Sequence, residues 1–128
     1  MEDFRVAKIL SEIGGMIRQE AGTDPDGAFL YVEAEDGVVG PSLFKEIGPI
    51  VKDLDISHDL SMKIMDLWDA ADPNRKWAAL FLTIQGDQFD ARFQYPEEWG
   101  DADAEERRDR VLAAKYGNKT IVYPGWDA

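Results

Sequence analysis

The sequence contains no cysteine and a single histidine among its 128 residues. The first absence excludes disulfide bonds, metal sites built on thiolates and cofactors attached through a thiol. The second leaves His58 as the only histidine that could act as a base, and no G-x-S-x-G turn accompanies it. The segment GVVGPS (37–42) lacks the lysine of a phosphate-binding loop and is typical of a turn. We therefore predict no catalytic residue, no cofactor and no enzymatic activity.

Positive charge is also scarce. The chain has 14 lysine and arginine residues against 26 aspartate and glutamate residues, which gives a net charge of −12. Binding to nucleic acid requires clustered basic side chains, and an anionic membrane surface would repel such a chain. A net charge of this sign favours a partner protein with a basic surface.

Long hydrophobic runs are missing as well, since no segment approaches the roughly 18 apolar residues of a membrane span. The N-terminal stretch MEDFRVAKIL has no basic region followed by an apolar run, so it does not resemble a signal peptide. Hydrophobic residues nevertheless make up 45% of the chain, which is enough to form a core. We expect a cytoplasmic protein in which residues 1–128 form a single domain.

The periodicity of the apolar residues predicts an α+β fold with three helices and an antiparallel sheet of about five strands. The best-defined unit is a β-hairpin whose second arm, QFDARFQY (88–95), alternates apolar and polar residues. Two glycines inside the first helix predict a kink or a close contact there. The predicted elements in chain order are a helix over 2–20, strands over 28–36 and 38–44, a strand or loop over 46–56, a helix over 57–71, the hairpin over 76–95, a helix over 104–116 and a short strand over 120–123.

Two acidic segments, 24–27 and 101–105, carry carboxylates at alternate positions, as calcium-binding loops do. Neither continues as such a loop, because the first is interrupted by proline and the second lacks the central glycine. Turns and a helix N-terminus account for both segments, since Asp103 is placed to cap the last helix. A metal-dependent hydrolase that uses paired carboxylates remains an alternative, and we predict no metal site.

Residues 97–106, EEWGDADAEE, are the most distinctive part of the sequence, because six of the ten are acidic and none is basic. One interpretation is a solvated loop that leads into a helix. The other is a recognition surface in which an exposed Trp99 anchors a basic partner and the surrounding acids steer it. On the second interpretation, the predicted partner-binding residues are Asp87, Asp90, Glu97, Glu98, Trp99, Asp101 and Asp103.

Four stretches of the chain together resemble the YezG-like immunity protein family, the bacterial antitoxins that are paired with polymorphic toxins. The resemblance implies an antiparallel sheet with helices packed mainly on one side, and residues 118–128 would be a C-terminal extension. It also implies a non-catalytic protein that binds and neutralises a cognate toxin, often a nuclease. The four stretches are AFLYVEAED (28–36), DISHDL (55–60), KWAALFLTIQGDQFDARFQY (76–95) and DADAEERRDRVLAAKYG (101–117).

A second class of function stays open beside the immunity role. The chain could be a homo-oligomeric module that pairs an exposed edge strand with a copy of itself, or a module that binds a small ligand. Repulsion between two chains of net charge −12 favours a monomer or a weak oligomer.

Overall fold

A computed structural model of the chain describes residues 3–20, 26–35, 37–86, 88–100, 102–117 and 119–122. It has the predicted α+β architecture, with three helices and a six-stranded sheet. A 3₁₀ helix, Pro96–Glu98, connects the last strand of the hairpin to the last helix. The elements are α1 (Asp3–Glu20), β1 (Ala28–Glu35), β2 (Val38–Ile47), β3 (Ile50–Leu54), α2 (His58–Ala70), β4 (Ala79–Gln85), β5 (Gln88–Gln94), α3 (Ala104–Tyr116) and β6 (Thr120–Val122).

The strands lie in the order β5-β4-β1-β2-β3-β6. Every neighbouring pair is antiparallel except β3 and β6, which are parallel. The segment that the sequence left open between strand and loop forms β3. Pro41 lies in the half of β2 that pairs with β1 but not with β3, so its missing N–H disrupts no second ladder.

Local signals in the sequence account for the helix ends. The Ser57 hydroxyl accepts a hydrogen bond from the Leu60 amide at 3.1 Å, which caps α2 as predicted. Asp103 caps α3 in the same way, and Gly117 ends α3 with a positive φ of 61°. None of the described helices is long and apolar enough to cross a membrane.

Helices α1 and α2 cover one face of the sheet, where the largest core cluster lies. The two glycines of α1 have different surroundings. A Cβ atom on Gly14 would lie 3.2 Å from the ring of Phe89 on β5, whereas a Cβ on Gly15 would meet nothing within 4 Å. The predicted close contact is therefore made at Gly14 alone.

Helix α3 covers part of the opposite face, where Phe29, Phe44 and Tyr116 form a second cluster. The helices are thus mainly, but not all, on one side of the sheet. Because α3 follows the strand at one edge and precedes the strand at the other, it crosses the sheet. Six strands are about 24 Å wide, and a helix of 13 residues is about 20 Å long, so its length matches this path.

Candidate binding site

A groove of about 480 Å³ lies between α3 and strands β1, β4 and β5. It is on the face of the sheet opposite to α1 and α2. The groove exists because α3 crosses the sheet and leaves the outward side chains of β4 and β5 partly uncovered. Its lining residues are Phe29, Tyr31, Phe81, Thr83, Asp90, Arg92, Gln94, Glu98, Trp99, Arg107, Arg110, Val111, Ala114 and Lys115.

Aromatic rings from neighbouring strands form the floor of the groove. Phe81 on β4 lies between Phe29 and Tyr31 of β1, with ring centroids 6.5 and 5.2 Å away. The alternation of a strand places these rings on one face, while Leu30 and Val32 point into the core on the other. Strand β1 has apolar residues at both odd and even positions, which point to opposite faces of the sheet. This sequence pattern indicates that both faces are covered.

The groove contains several cations in an acidic protein. Four of its lining residues are arginine or lysine and two are aspartate or glutamate, and two of the four cations form ion pairs with carboxylates outside the lining. The Arg92 guanidinium lies 4.2 Å from the centroid of the Phe81 ring, and the Lys115 ammonium lies 4.7 Å from that of Phe29. Neither cation has a carboxylate within 4.0 Å among the described residues.

Arg107 organises one end of the groove. It donates to both carboxylate oxygens of Glu33, at 2.9 and 3.0 Å, and to the carbonyl of Ala102. Glu33 also accepts from the Tyr31 hydroxyl. Burial and this carboxylate raise the pKa of Tyr31 far above its usual value, whereas the hydrogen bonds to Glu33 raise the pKa of the Arg107 guanidinium.

The same guanidinium lies 3.5 Å from the centroid of the Trp99 ring. Trp99 is partly buried against the second core cluster, and its Nε1 atom is buried without a hydrogen-bond acceptor among the described residues. The sequence left the exposure of Trp99 open, and in the structure the ring is partly buried. The stacked guanidinium and the aromatic cluster cover part of it.

The acids near Trp99 are largely engaged within the chain. Glu97 forms an ion pair with Arg75 at 2.7 Å, which lowers the pKa of the Glu97 carboxyl. Glu98 accepts a hydrogen bond from the Tyr95 amide at 2.9 Å. Asp103 accepts one from the first turn of α3 at 2.8 Å. We call Glu97, Glu98 and Asp103 the acidic corner.

The structure brings the predicted partner-binding residues together only in part. Asp90, Glu98 and Trp99 line the groove, whereas Glu97 and Asp103 do not. Asp87 and Asp101 lie outside the described residues. Sequence reasoning did not single out the pair of Glu33 and Arg107 or the cations Arg92 and Lys115, because residues far apart in the chain meet only after the sheet and α3 assemble.

The sequence contains His58 as a candidate base and two acidic segments as candidate metal sites. His58 is exposed in the first turn of α2. No group of three or more histidine, aspartate or glutamate side chains among the described residues could hold a metal ion. Asp26, from the first acidic segment, accepts from the Gly86 amide at 2.7 Å and so ties two turns together.

Comparison of the chain with models of protein families and with curated proteins finds no match.

Proposed function

We propose that the protein is a non-catalytic, cytoplasmic immunity protein that neutralises a toxin with a basic surface by binding it at the acidic corner. The observation that carries the proposal is the way Glu98 and Asp103 are held. Backbone amides fix both exposed carboxylates, and no described cation forms an ion pair with either of them. The resemblance of four stretches to YezG-like immunity proteins supports the same role.

The physical reason is preorganisation. A hydrogen bond from a backbone amide restricts a carboxylate without cancelling its charge, so little side-chain entropy remains to be lost on binding. Two fixed negative charges attract a basic surface and orient it during encounter. Glu97 adds to the corner less strongly, because Arg75 already neutralises it.

Substitutions in the acidic corner can remove its negative charge without removing its hydrogen bonds to the backbone. Glu98→Gln and Asp103→Asn remove both charges but keep oxygen atoms that can accept the same backbone hydrogen bonds, and Asn caps helices as well as Asp does. Asp66→Asn with Asp69→Asn is the matched control, since both aspartates are exposed on α2. The partner is sought by expressing the proteins encoded beside this gene and co-expressing any toxic one with the chain.

We expect the chain to restore growth and to bind the toxin in a purified complex. The Glu98→Gln, Asp103→Asn variant should lower the association rate about threefold to tenfold at low salt, and the α2 control should leave it unchanged. If the chain neither binds nor protects against any neighbouring toxin, the function is wrong. If the α2 control alone slows binding, the function stands and the acidic corner is wrong.

The groove supports a second candidate function, the binding of a small anion that carries a planar ring. Arg92 and Lys115, which have no ion-pair partner among the described residues, supply positive charge above an aromatic floor. Titration with phenyl phosphate and benzoate, followed by NMR, tests this candidate. Ala114→Phe should block binding because Ala114 lines the groove, whereas Ala113→Phe, one position earlier on α3 and outside the lining, should not. Binding that both variants leave intact would exclude the groove.

A further inference from the structure

Strand β5 is the outermost strand of the sheet on the side of the hairpin. It pairs with β4 along its whole length, from Gln88 to Gln94. No other strand among the described residues pairs with its outer edge. Unpaired edges of this length are templates for pairing with another chain, and proteins usually protect them with proline, a bulge or inward-pointing charge. Residues 88–94 contain no proline or glycine.

The pairing of the neighbouring strands shows which residues of β5 bond to β4 and which point to its outer edge. On the far side of β4, the Ala34 amide donates to the carbonyl of Ala78, just before the strand, at 2.8 Å, so the residues of β4 at even positions (80, 82 and 84) bond to β1. The residues between them, which include Phe81 and Thr83, bond to β5. Their partners on β5 are even-numbered. The N–H and C=O groups of Phe89, Ala91 and Phe93 therefore point to the free edge.

The sequence of this edge is complementary to itself. Read in either direction from Ala91, QFDARFQ pairs glutamine with glutamine, phenylalanine with phenylalanine and aspartate with arginine. We propose that two copies of the chain pair along β5 in an antiparallel register, with Ala91 opposite Ala91 on a twofold axis, to form a continuous sheet. In this register the residues opposite each other are Ala91 with Ala91, Phe89 with Phe93 and Asp90 with Arg92.

Two independent features agree with this register. The outward-pointing groups of residues 89, 91 and 93 become the hydrogen-bonded pairs of the new ladder. Asp90 and Arg92 then form non-hydrogen-bonded pairs, whose Cα atoms are about 4.5 Å apart and whose side chains lie closest. Within one chain neither side chain has an ion-pair partner among the described residues, so the dimer supplies each with one.

Electrostatic magnitudes favour these local pairs over the repulsion between the two chains. At physiological ionic strength the screening length is about 8 Å, so most of the charge of −12 on each chain acts weakly across the interface. The side chains of opposed residues are closer than that length. Strand β5 itself carries one acid and one base, so its own net charge is zero.

The test exploits the symmetry of the strand. Arg92→Asp makes like charges oppose each other twice across the axis, and Asp90→Arg does the same with positive charge. The double variant Asp90→Arg, Arg92→Asp restores opposite charges in both pairs. Ala91→Pro removes an amide that faces the free edge and leaves the ladder with β4 intact. Lys8→Gln on α1, an exposed lysine on the other face of the sheet, is the control.

Sedimentation equilibrium at physiological ionic strength measures the dissociation constant of the dimer. We expect Arg92→Asp and Asp90→Arg each to weaken the dimer about tenfold or more. The double variant and Lys8→Gln should dimerise like the wild type, and an equimolar mixture of the two single variants should form a heterodimer. Circular dichroism confirms that each variant is folded. A wild-type chain that stays monomeric at its highest soluble concentration, or a dimer that both single variants leave unchanged, would overturn the proposal.

Discussion

The adjacent glycines of α1 provide a sharp test of how this helix packs. Alanine in place of glycine in a helix interior stabilises it by about 1 kcal/mol, because the unfolded chain loses less freedom on folding. At Gly15 nothing lies within 4 Å of the added Cβ, so the Gly15→Ala variant should gain this amount in full. In a chain of 128 residues that gain corresponds to a rise in Tm of about 4 °C.

The same substitution at Gly14 should behave differently, since the added Cβ would lie 3.2 Å from the Cδ2 atom of Phe89. Overpacking of a well-filled site costs about 1–3 kcal/mol, which offsets or exceeds the gain from helix propensity. We expect Gly14→Ala to be neutral or destabilising, about 1–2 kcal/mol less stable than Gly15→Ala. Unfolding in urea, followed by circular dichroism, measures both variants.

A third variant identifies the cause. Phe89→Leu removes the ring that the new methyl group would meet, so in that background Gly14→Ala should stabilise the protein nearly as much as Gly15→Ala does. Equal stabilisation by the two glycine substitutions in the wild-type background would refute the contact between α1 and β5.

Two further predictions concern ion pairs on the second face of the sheet. Arg107→Met should lower the free energy of unfolding by about 2–3 kcal/mol, because it leaves the mostly buried Glu33 carboxylate without its cation. Arg110→Met should lower it by less than about 0.5 kcal/mol, because the ion pair of Arg110 is exposed. Chemical unfolding of the two variants measures both losses. Burial raises the pKa of Asp53, although the Arg108 guanidinium lies 3.3 Å away and lowers it. The folded protein therefore binds the Asp53 proton more tightly than the unfolded chain, in which the pKa is about 4. The stability that this proton contributes is lost as the pH rises above the unfolded value and through the folded-state pKa. Relative to Asp53→Asn, the wild type should therefore lose stability as the pH rises above about 4, and a wild type that gains stability relative to Asp53→Asn in urea unfolding would contradict the assignment.

The sequence predicted the elements well, because each depends on signals a few residues apart. Ser57 followed by apolar residues at helical spacing determined α2, and the alternation in QFDARFQY determined β5. The short strand β6 was also predicted. Such local patterns do not show on which face a helix packs, and the weakly amphipathic α3 carries little information on this point.

The candidate site was less predictable for the same reason. Trp99 is surrounded in the sequence by charged residues, yet it packs on a cluster formed by strands far from it in the chain. Glu33 and Arg107, which are 74 residues apart, meet only in the folded protein. Charge counting located the acidic segment, but it could not show that Arg75 and backbone amides already engage part of it, or that a groove lined by cations lies beside it.

The parallel strand β6 has a consequence for how the protein opens. Its three residues pair with β3 directly after α3, so they hold the far end of a helix that is tied to β5 at its other end. Detachment of β6 from β3 breaks few hydrogen bonds and lets the last turns of α3 lift from the aromatic floor, while the ion pair of Arg107 with Glu33 holds its first turns. We therefore expect the amides of β6 and of the last turns of α3 to exchange with solvent deuterium together, and well before those of β1. This end of the second face would then open first, while the core under α1 and α2 stays closed.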